Sequence, residues 1–249
     1  MITRRLLRVG LFLFVSIATA ATGAHVRAQT AALPTIDQIL EKYVTGAGGR
    51  AAIEKVTSIS AKGTIEIPDV NISGTVELIQ KAPDKALTVV DLAGVGTQRE
   101  GFDGTTGWSD DPANGFRQKD GVELAEAKRA ATFGRELKMK ALYPKMAVKS
   151  TEKVDGKDAY LVDATPEVGT PVKLYFDAAT GLLVRQVAMR QMPQGPLEVE
   201  VTFGDFRVVD GVKRPFMIRQ ATSAFTATIQ LTEVKQNLPI DDAIFKAPK

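Results

Sequence analysis

The stretch LEVEVTFGDFRVVDGVKRPF, residues 197–216, contains the clearest structural pattern of this chain. Apolar and polar residues alternate from Leu197 to Phe203, as in a β-strand with one buried face and one solvated face. Asp210-Gly211 then supplies the positive φ angles that a tight hairpin turn requires. We therefore predict two antiparallel strands joined at this turn, with Pro215 restricting the second strand to an edge or a bulge.

Strict alternation through this hairpin also predicts which side chains share a face. The charges of the stretch are then explained by a solvated sheet face, without any role in gripping a substrate. One face is expected to hold Phe203, Asp205, Arg207 and Val209, and the other Gly204, Phe206 and Val208.

The same two-residue period extends over most of the chain from residue 58 onward. Glycine-containing turns such as Asp103-Gly104 and Thr180-Gly181 separate the alternating segments, which predicts adjacent antiparallel strands. The predicted strands are residues 59–67, 72–78, 86–92, 97–102, 106–109, 146–153, 159–165, 172–177, 182–189, 197–208, 213–221 and 225–234.

Two regions have the 3.6-residue period of amphipathic helices. In residues 35–56, Thr35 and Gln38 fit a capping box, Gly46 ends a first helix, and a second short helix follows. Residues 121–142 are predicted to form one helix, with an alanine-rich apolar side opposite a charged side. Pro144 ends it.

A sheet of this size must close into a barrel, split into a sandwich or curl into an open half-barrel. The apolar faces of the two helical regions need a partner, and the concave side of a curled sheet would provide one. We therefore predict a mainly β domain of α+β class over residues 35–249. In this domain a curled antiparallel half-barrel of about eleven strands is capped by helices.

Residues 1–28 have the organisation of a secretory signal peptide. Three arginines precede an apolar run from Val9 to Ala21, and Val26-Arg27-Ala28 offers a cleavage site. The run is too short for a membrane-spanning helix, which needs roughly 20 residues. We expect export to the periplasm, or secretion, with residues 29–34 as a linker.

Removal of the signal peptide also changes the charge balance. Four of the 32 basic residues lie in residues 1–28 and no acidic residue does, so 28 basic residues face 29 acidic ones in the remainder. This balance argues against nucleic-acid binding. The chain has no Cys, and its single histidine, His25, is removed with the signal peptide. This excludes Ser-His-Asp and Cys-His catalysis. We expect no enzyme activity, no cofactor and no metal.

Several segments resemble the outer-membrane lipoprotein-sorting proteins of the LolA-like superfamily. They are IDQILEKY (36–43), GGRAA (48–52), GFDGTTGW (101–108), LYFDAATGLL (174–183), DFRVVDGVKRPF (205–216) and DDAIF (241–245). The resemblance implies a periplasmic carrier that holds the acyl chains of lipoproteins or lipids in a cavity and moves them toward the outer membrane. It also implies an inner-membrane donor and an outer-membrane acceptor protein as partners. We expect a monomer.

A carrier of this kind needs an apolar cavity and no catalytic group, because each buried CH₂ contributes roughly 0.8 kcal/mol. Trp108, the single tryptophan, is the leading individual candidate for the lining. The predicted lining residues are Leu78, Val89, Phe102, Trp108, Phe133, Leu137, Tyr160, Leu174, Phe176, Val201, Phe203 and Ile229, with Val76, Val162 and Val199 as further inward positions.

Two alternatives remain open at this level. Asp110-Asp111 and Asp241-Asp242 are adjacent acid pairs that could serve a secreted hydrolase if they were buried together. A non-transporting envelope sensor or binding module of the same fold is the second alternative. Ligand identity is not encoded in the turn and strand motifs.

Overall fold

One antiparallel sheet dominates the structure, a computed structural model that describes residues 32–192 and 195–248. The sheet is open rather than closed, which confirms the mainly β, α+β fold class. Its thirteen strands in the described residues are β1 (Ser58–Ile67), β2 (Ile72–Lys81), β3 (Lys85–Leu92), β4 (Gly96–Phe102), β5 (Gly107–Asp111), β6 (Gly115–Gln118), β7 (Lys145–Val154), β8 (Lys157–Thr165), β9 (Val172–Asp177), β10 (Leu183–Met192), β11 (Gly195–Val209), β12 (Val212–Ala221) and β13 (Thr226–Gln236).

Helices precede the first strand and connect the two halves of the sheet. The α-helices are α1 (Ile36–Gly46), α2 (Arg50–Glu54), α3 (Gly121–Ala131) and α4 (Met139–Leu142), and short 3₁₀ helices cover Pro68–Val70, Arg135–Leu137 and Asp242–Phe245. No helix in the described part of the chain is long and apolar enough to cross a membrane.

The strand order is β6-β5-β4-β3-β2-β1-β13-β12-β11-β10-β9-β8-β7. The first and last strands therefore pair in the middle of the sheet, and each half is a meander that runs out to one edge. The chain must pass from β6 at one edge to β7 at the other. Residues 119–144, which contain α3 and α4, make this connection and are called the crossing segment below.

Contacts of α3 show that the sheet curls around the crossing segment. The helix contacts β4 and also β10, which lie seven strand positions apart. In a flat sheet these strands would be about 34 Å apart at ~4.8 Å per strand. A helix is only about 10–12 Å across. The concave face must therefore fold around α3.

The N-terminal helices pack on the same face. The Thr35 hydroxyl accepts a hydrogen bond from the Gln38 amide and the Gln38 side chain accepts one from Thr35, which confirms the predicted capping box. Ile39 is 3% exposed and packs with Leu174 and Phe176 of β9. Burial of this apolar stripe, rather than helix propensity alone, holds so short a helix in place.

The β11–β12 hairpin forms as predicted, with φ of 46° at Asp210 and 84° at Gly211. The predicted alternation through it is wrong, because Asp205 has a φ of 48° and forms no ladder pair between those of Gly204 with Met217 and Phe206 with Pro215. Phe203 and Phe206 consequently line the same cavity instead of opposite faces. Pro215 is tolerated because pairing of β12 with β13 begins only at Met217.

Two further differences concern the crossing segment and the strand that precedes it. The short strand β6 was not predicted. Residues 121–142 do not form one helix, since Thr132 leaves the helical conformation and Gly134 has a φ of 64°. α3 therefore ends at Ala131, where the apolar stripe alone suggested continuation, and Gly134, which adopts the left-handed conformation without steric cost, leads into the following 3₁₀ helix. The predicted signal peptide, residues 1–28, lies outside the described residues.

The opposite sheet face is covered by the C-terminal segment, residues 238–248. The indole nitrogen of Trp108 donates a 2.8 Å hydrogen bond to the carbonyl of Phe245, and both side chains are almost fully buried. Gly101 lies opposite Trp108 on the neighbouring strand, and a Cβ at Gly101 would stand 2.3 Å from the indole ring. The missing side chain therefore provides the space in which the ring lies.

Charge pairing supports the same segment. Lys81 and Lys85 each donate a hydrogen bond to the carboxylate of Asp242, over 2.7 and 2.5 Å, and Lys81 also reaches the carbonyl of Ile240. These two ammonium groups lower the pKa of Asp242 from 3.8 to about 2. The folded state therefore favours the ionised carboxylate.

We expect the contribution of Asp242 to stability to disappear in acid. Because its pKa is lower in the folded state, the contribution is present above about pH 4 and is lost as pH falls toward 2. Asp242→Asn should therefore unfold at lower urea than the parent at pH 6, and the difference should vanish by about pH 2. Unfolding can be followed by Trp108 emission. A difference that persists unchanged to pH 2 would contradict the pairing with the lysines.

Candidate functional site: a cavity under the crossing segment

A cavity of about 200 Å³ lies between the crossing segment, α1 and the sheet. Strands β1, β2 and β10–β12, together with the turn preceding β10, supply the sheet side, and residues 132–139 lie across it. Apolar side chains make up much of its wall, chiefly Ala47, Ile59, Met139, Leu182, Phe203 and Phe206.

A charged pair spans this cavity from the crossing segment to the sheet. Arg214 on β12 donates a 2.9 Å hydrogen bond to Glu136, and the two side chains are only 15% and 12% exposed. The Nε of Arg214 is buried and has no hydrogen-bond partner among the described residues. Arg214 was expected on the solvated face of the hairpin, and that prediction is wrong. The sequence interval of 78 residues hides this pairing from local patterns.

Tyr43 of α1 adds a neutral polar group to the wall. Burial raises the pKa of its phenol well above the usual value, and the nearby Glu136 carboxylate raises it further. The hydroxyl therefore keeps its proton at any physiological pH and can donate a hydrogen bond. The ring packs edge-on against Phe176, with centroids 5.3 Å apart.

A smaller cleft of about 30 Å³ lies on the other side of the crossing segment. Arg129, Arg135 and Arg190 line it together with one acidic residue, Glu126. Arg135 also lines the larger cavity, so the two spaces are neighbours. The helix side that carries Glu126 was expected to be solvated, yet Glu126 is only 9% exposed.

The start of α3 is held to the sheet by further ion pairs. Arg117 donates two hydrogen bonds, of 2.6 and 2.7 Å, to the carboxylate of Glu123. Lys119 is 5% exposed at its side chain and pairs with Glu100 and Glu123. Burial lowers the pKa of the Lys119 ammonium, whereas Glu123 partly opposes that shift. These pairs fix one end of the crossing segment while its middle spans the cavity.

Three of the four carboxylates in the acid pairs that suggested a hydrolase have structural partners. Asp111 accepts hydrogen bonds from the amides of Ala113 and Asn114 and closes a turn. Asp241 caps the last 3₁₀ helix and Asp242 pairs with lysines. Within residues 32–192 and 195–248, no group of three acidic or imidazole side chains could hold a metal ion.

The predicted lining residues fall into several places. Phe203 lines the cavity, and Phe133 and Leu137 pack nearby in the cluster around Ile53. The others lie elsewhere. Tyr160, Val162, Leu174 and Phe176 pack under α1, whereas Val76, Leu78 and Ile229 belong to a cluster on the central strands. Val89 and Trp108 lie under the C-terminal segment, and Phe102, Val199 and Val201 lie within the sheet, where Phe102 and Val199 are buried.

Trp108 and Val89 belong to the sheet face opposite the cavity. Gly101, the cross-strand partner of Trp108, pairs with Leu87, and Leu87 pairs with Ile79. Ile59 and its cross-strand partner Gln80, which line the cavity, form the neighbouring row, because Gln80 follows Ile79 in β2. Because successive side chains of a strand point to opposite faces, these two rows are separated by the sheet.

The residues that the sequence did not reveal are the polar ones. Glu136, Arg135 and Arg190 occur in segments whose charges look like ordinary solvated faces. A weak signal existed for Tyr43, which interrupts the aliphatic stripe of α1 with a hydroxyl.

Solved structures with the same architecture are known. A LolA superfamily protein of Nitrosomonas europaea matches with a TM-score of 0.58 and 15% identity, covering 86% of this chain and 99% of that one. The chain has a LolA-like fold. A domain assigned as an outer membrane lipoprotein-sorting protein, from Vibrio parahaemolyticus, gives 0.55 and 15%, with 83% and 97% covered. A DUF1329 family protein of Desulfovibrio piger gives 0.58 and 15%, with 86% and 98% covered.

The chain matches no protein-family model and no curated protein sequence. The likeness therefore establishes the fold, and the chemistry of the cavity must be argued from the residues that form it.

We expect Arg214→Met to destabilise the protein by about 3 kcal/mol, because it leaves Glu136 buried without its partner. Adding Glu136→Gln should restore part of that loss, since the uncompensated charge is then removed. Urea unfolding measures both effects. Arg219→Met, the same substitution at an exposed position of β12, is the matched control and should change stability by less than about 0.5 kcal/mol. Equal losses of stability in Arg214→Met and Arg219→Met would contradict the buried pairing.

Proposed function

We propose that the protein is an envelope carrier that binds the acyl chain of a lipid or lipoprotein in the cavity beneath the crossing segment. The observation that supports this proposal is the cavity itself, whose wall combines apolar side chains such as Ile59, Phe203 and Phe206 with polar groups on both the sheet and the crossing segment. A ligand with an alkyl chain and a polar end matches that combination.

The size of the cavity indicates how much of a ligand the present conformation accepts. A cavity of about 150 Å³ can bind benzene, so 200 Å³ corresponds to roughly eight heavy atoms. Eight methylenes would contribute roughly 6 kcal/mol on burial. This is enough for weak binding of one chain segment and too little space for several acyl chains. Loading of a complete acyl group therefore requires the cavity to widen.

The crossing segment is the element that can widen it. Its middle, residues 132–138, has only a single turn of 3₁₀ helix and contains Gly134 in the left-handed conformation. The Glu136–Arg214 pair ties this middle to β12. Separation of the pair would let residues 132–138 move away from Phe203 and Phe206, while the ion pairs at the start of α3 keep that end attached.

Export and delivery complete the proposal. Residues 1–28 would direct the chain to the periplasm and be removed, residues 29–34 would form a linker, and residues 35–249 would form the carrier domain. A donor at the inner membrane and an acceptor at the outer membrane would load and unload it. The aliphatic and aromatic positions predicted from the sequence would serve as its apolar interior, with Phe203 at the ligand.

We expect Phe203→Trp to weaken binding of an apolar fluorescent probe by about tenfold, because the larger ring fills space that the ligand would occupy. The probe is N-phenyl-1-naphthylamine, an aromatic amine that needs the widened cavity and whose fluorescence rises in apolar surroundings. Phe225→Trp is the matched control, since Phe225 is also half-buried but packs with Ile65 and Leu92, in a different cluster.

The control should bind the probe like the parent protein. Identical affinities in the parent and both variants would place the probe elsewhere and contradict the proposed cavity. Failure of the parent to bind either the probe or any competing alkyl ligand would overturn the carrier function.

A further inference from the structure

The arginine-lined cleft beside the cavity has an excess of positive charge. Three guanidinium groups, those of Arg129, Arg135 and Arg190, face one carboxylate, that of Glu126. None of the three arginines forms an ion pair with a carboxylate of the residues that the structure describes. Like charges that share a small cleft repel one another, so an anion would stabilise the arrangement.

The cleft is built rather than a chance meeting of surface side chains. Arg129 donates a 3.1 Å hydrogen bond to the carbonyl of Val168, and its guanidinium lies 6.0 Å from the centre of the Tyr143 ring. These two contacts hold the group in place before any ligand arrives. All three arginines are half-buried, which makes their field stronger than that of fully solvated charges.

The position of Arg135 links this cleft to the proposed ligand. Its side chain lines both the cleft and the apolar cavity, on either side of the crossing segment. Met139 lines the cavity and Tyr143, one helical turn later, lines the cleft. A ligand lying in the cavity would therefore meet the cleft at Arg135, which lines both spaces.

The cleft is small, with a volume of about 30 Å³. We therefore expect a compact anionic group that reaches the guanidinium groups without having to enter the cleft completely. Carboxylate oxygens also match the paired N–H groups of a guanidinium, which favours short charge-assisted hydrogen bonds.

We propose that the ligand is a fatty carboxylate whose anionic end binds Arg129, Arg135 and Arg190 and whose alkyl chain enters the cavity. This assignment rests on the proposed carrier function and specifies its ligand class. Recognition of the negative end would give the site a preference that an apolar cavity alone does not have.

Three ligands with the same chain length test the assignment: dodecanoate, dodecanol and dodecyltrimethylammonium. The purified protein from an exporting host is titrated with each by calorimetry, below the critical micelle concentrations of the two charged ligands and below the solubility limit of dodecanol. We expect dodecanoate to bind at least tenfold more tightly than dodecanol, and the cation to bind most weakly. Added salt should weaken dodecanoate binding and leave dodecanol binding unchanged.

Arg190→Gln should reduce the preference for dodecanoate over dodecanol to threefold or less without changing the affinity for dodecanol. Arg135→Gln is a second variant with the same expectation for the head group, in case the first is poorly folded. The matched control is Arg219→Gln, which removes the same charge from an exposed position and should keep the full preference.

Equal affinities for dodecanoate and dodecanol would overturn the fatty-carboxylate assignment while the carrier function stands. An undiminished preference in folded Arg190→Gln and Arg135→Gln would overturn the role of the cleft. Absence of binding for all three ligands would overturn the assignment together with the proposed function.

Discussion

The connection from one edge of the sheet to the other is the constraint on which the rest of the structure depends. Since β1 and β13 pair in the middle, β6 and β7 become the two outer strands, and the chain must cross a sheet face between them. The crossing segment takes this path with α3 and α4, and the sheet curls until strands on both sides touch α3. A cavity arises because the middle of the segment, around Gly134, has only a single turn of 3₁₀ helix and does not fill the space above the concave face.

The polar groups of the cavity make sense within this constraint. A segment that lies over an apolar concave face needs a directional attachment, because hydrophobic contacts alone do not fix its position. The Glu136–Arg214 pair supplies one at the middle, and Arg117–Glu123 supplies another at the start of α3. Both pairs sacrifice hydration of two charges, so their stabilisation is smaller than their geometry suggests. An attachment of that kind can be exchanged for another partner more easily than a packed core can.

Features encoded by neighbouring residues could be predicted from the sequence. The capping box of Thr35 and Gln38 and the turn at Asp210-Gly211 depend on residues within three positions of one another, and both are present. The short strand β6 was missed because four residues are too few to show a period. The left-handed Asp205 was missed because its neighbours alternate normally, and it reorients Phe206 toward the cavity. The site itself depends on pairs such as Glu136 with Arg214, which only the fold brings together.

Pairing of the first strand with the last also affects when the molecule can form. The Ser58 hydroxyl donates a hydrogen bond to the carbonyl of Leu238, 180 positions later, and the β1–β13 ladder runs from Ile59 with Gln236 to Glu66 with Thr228. A chain that emerges N-terminus first, from a ribosome or a translocation channel, leaves one edge of β1 without a partner until β13 has followed. Such long-range closure slows folding. The architecture thus keeps the emerging sheet incomplete, and accessible to chaperones, until β13 has emerged.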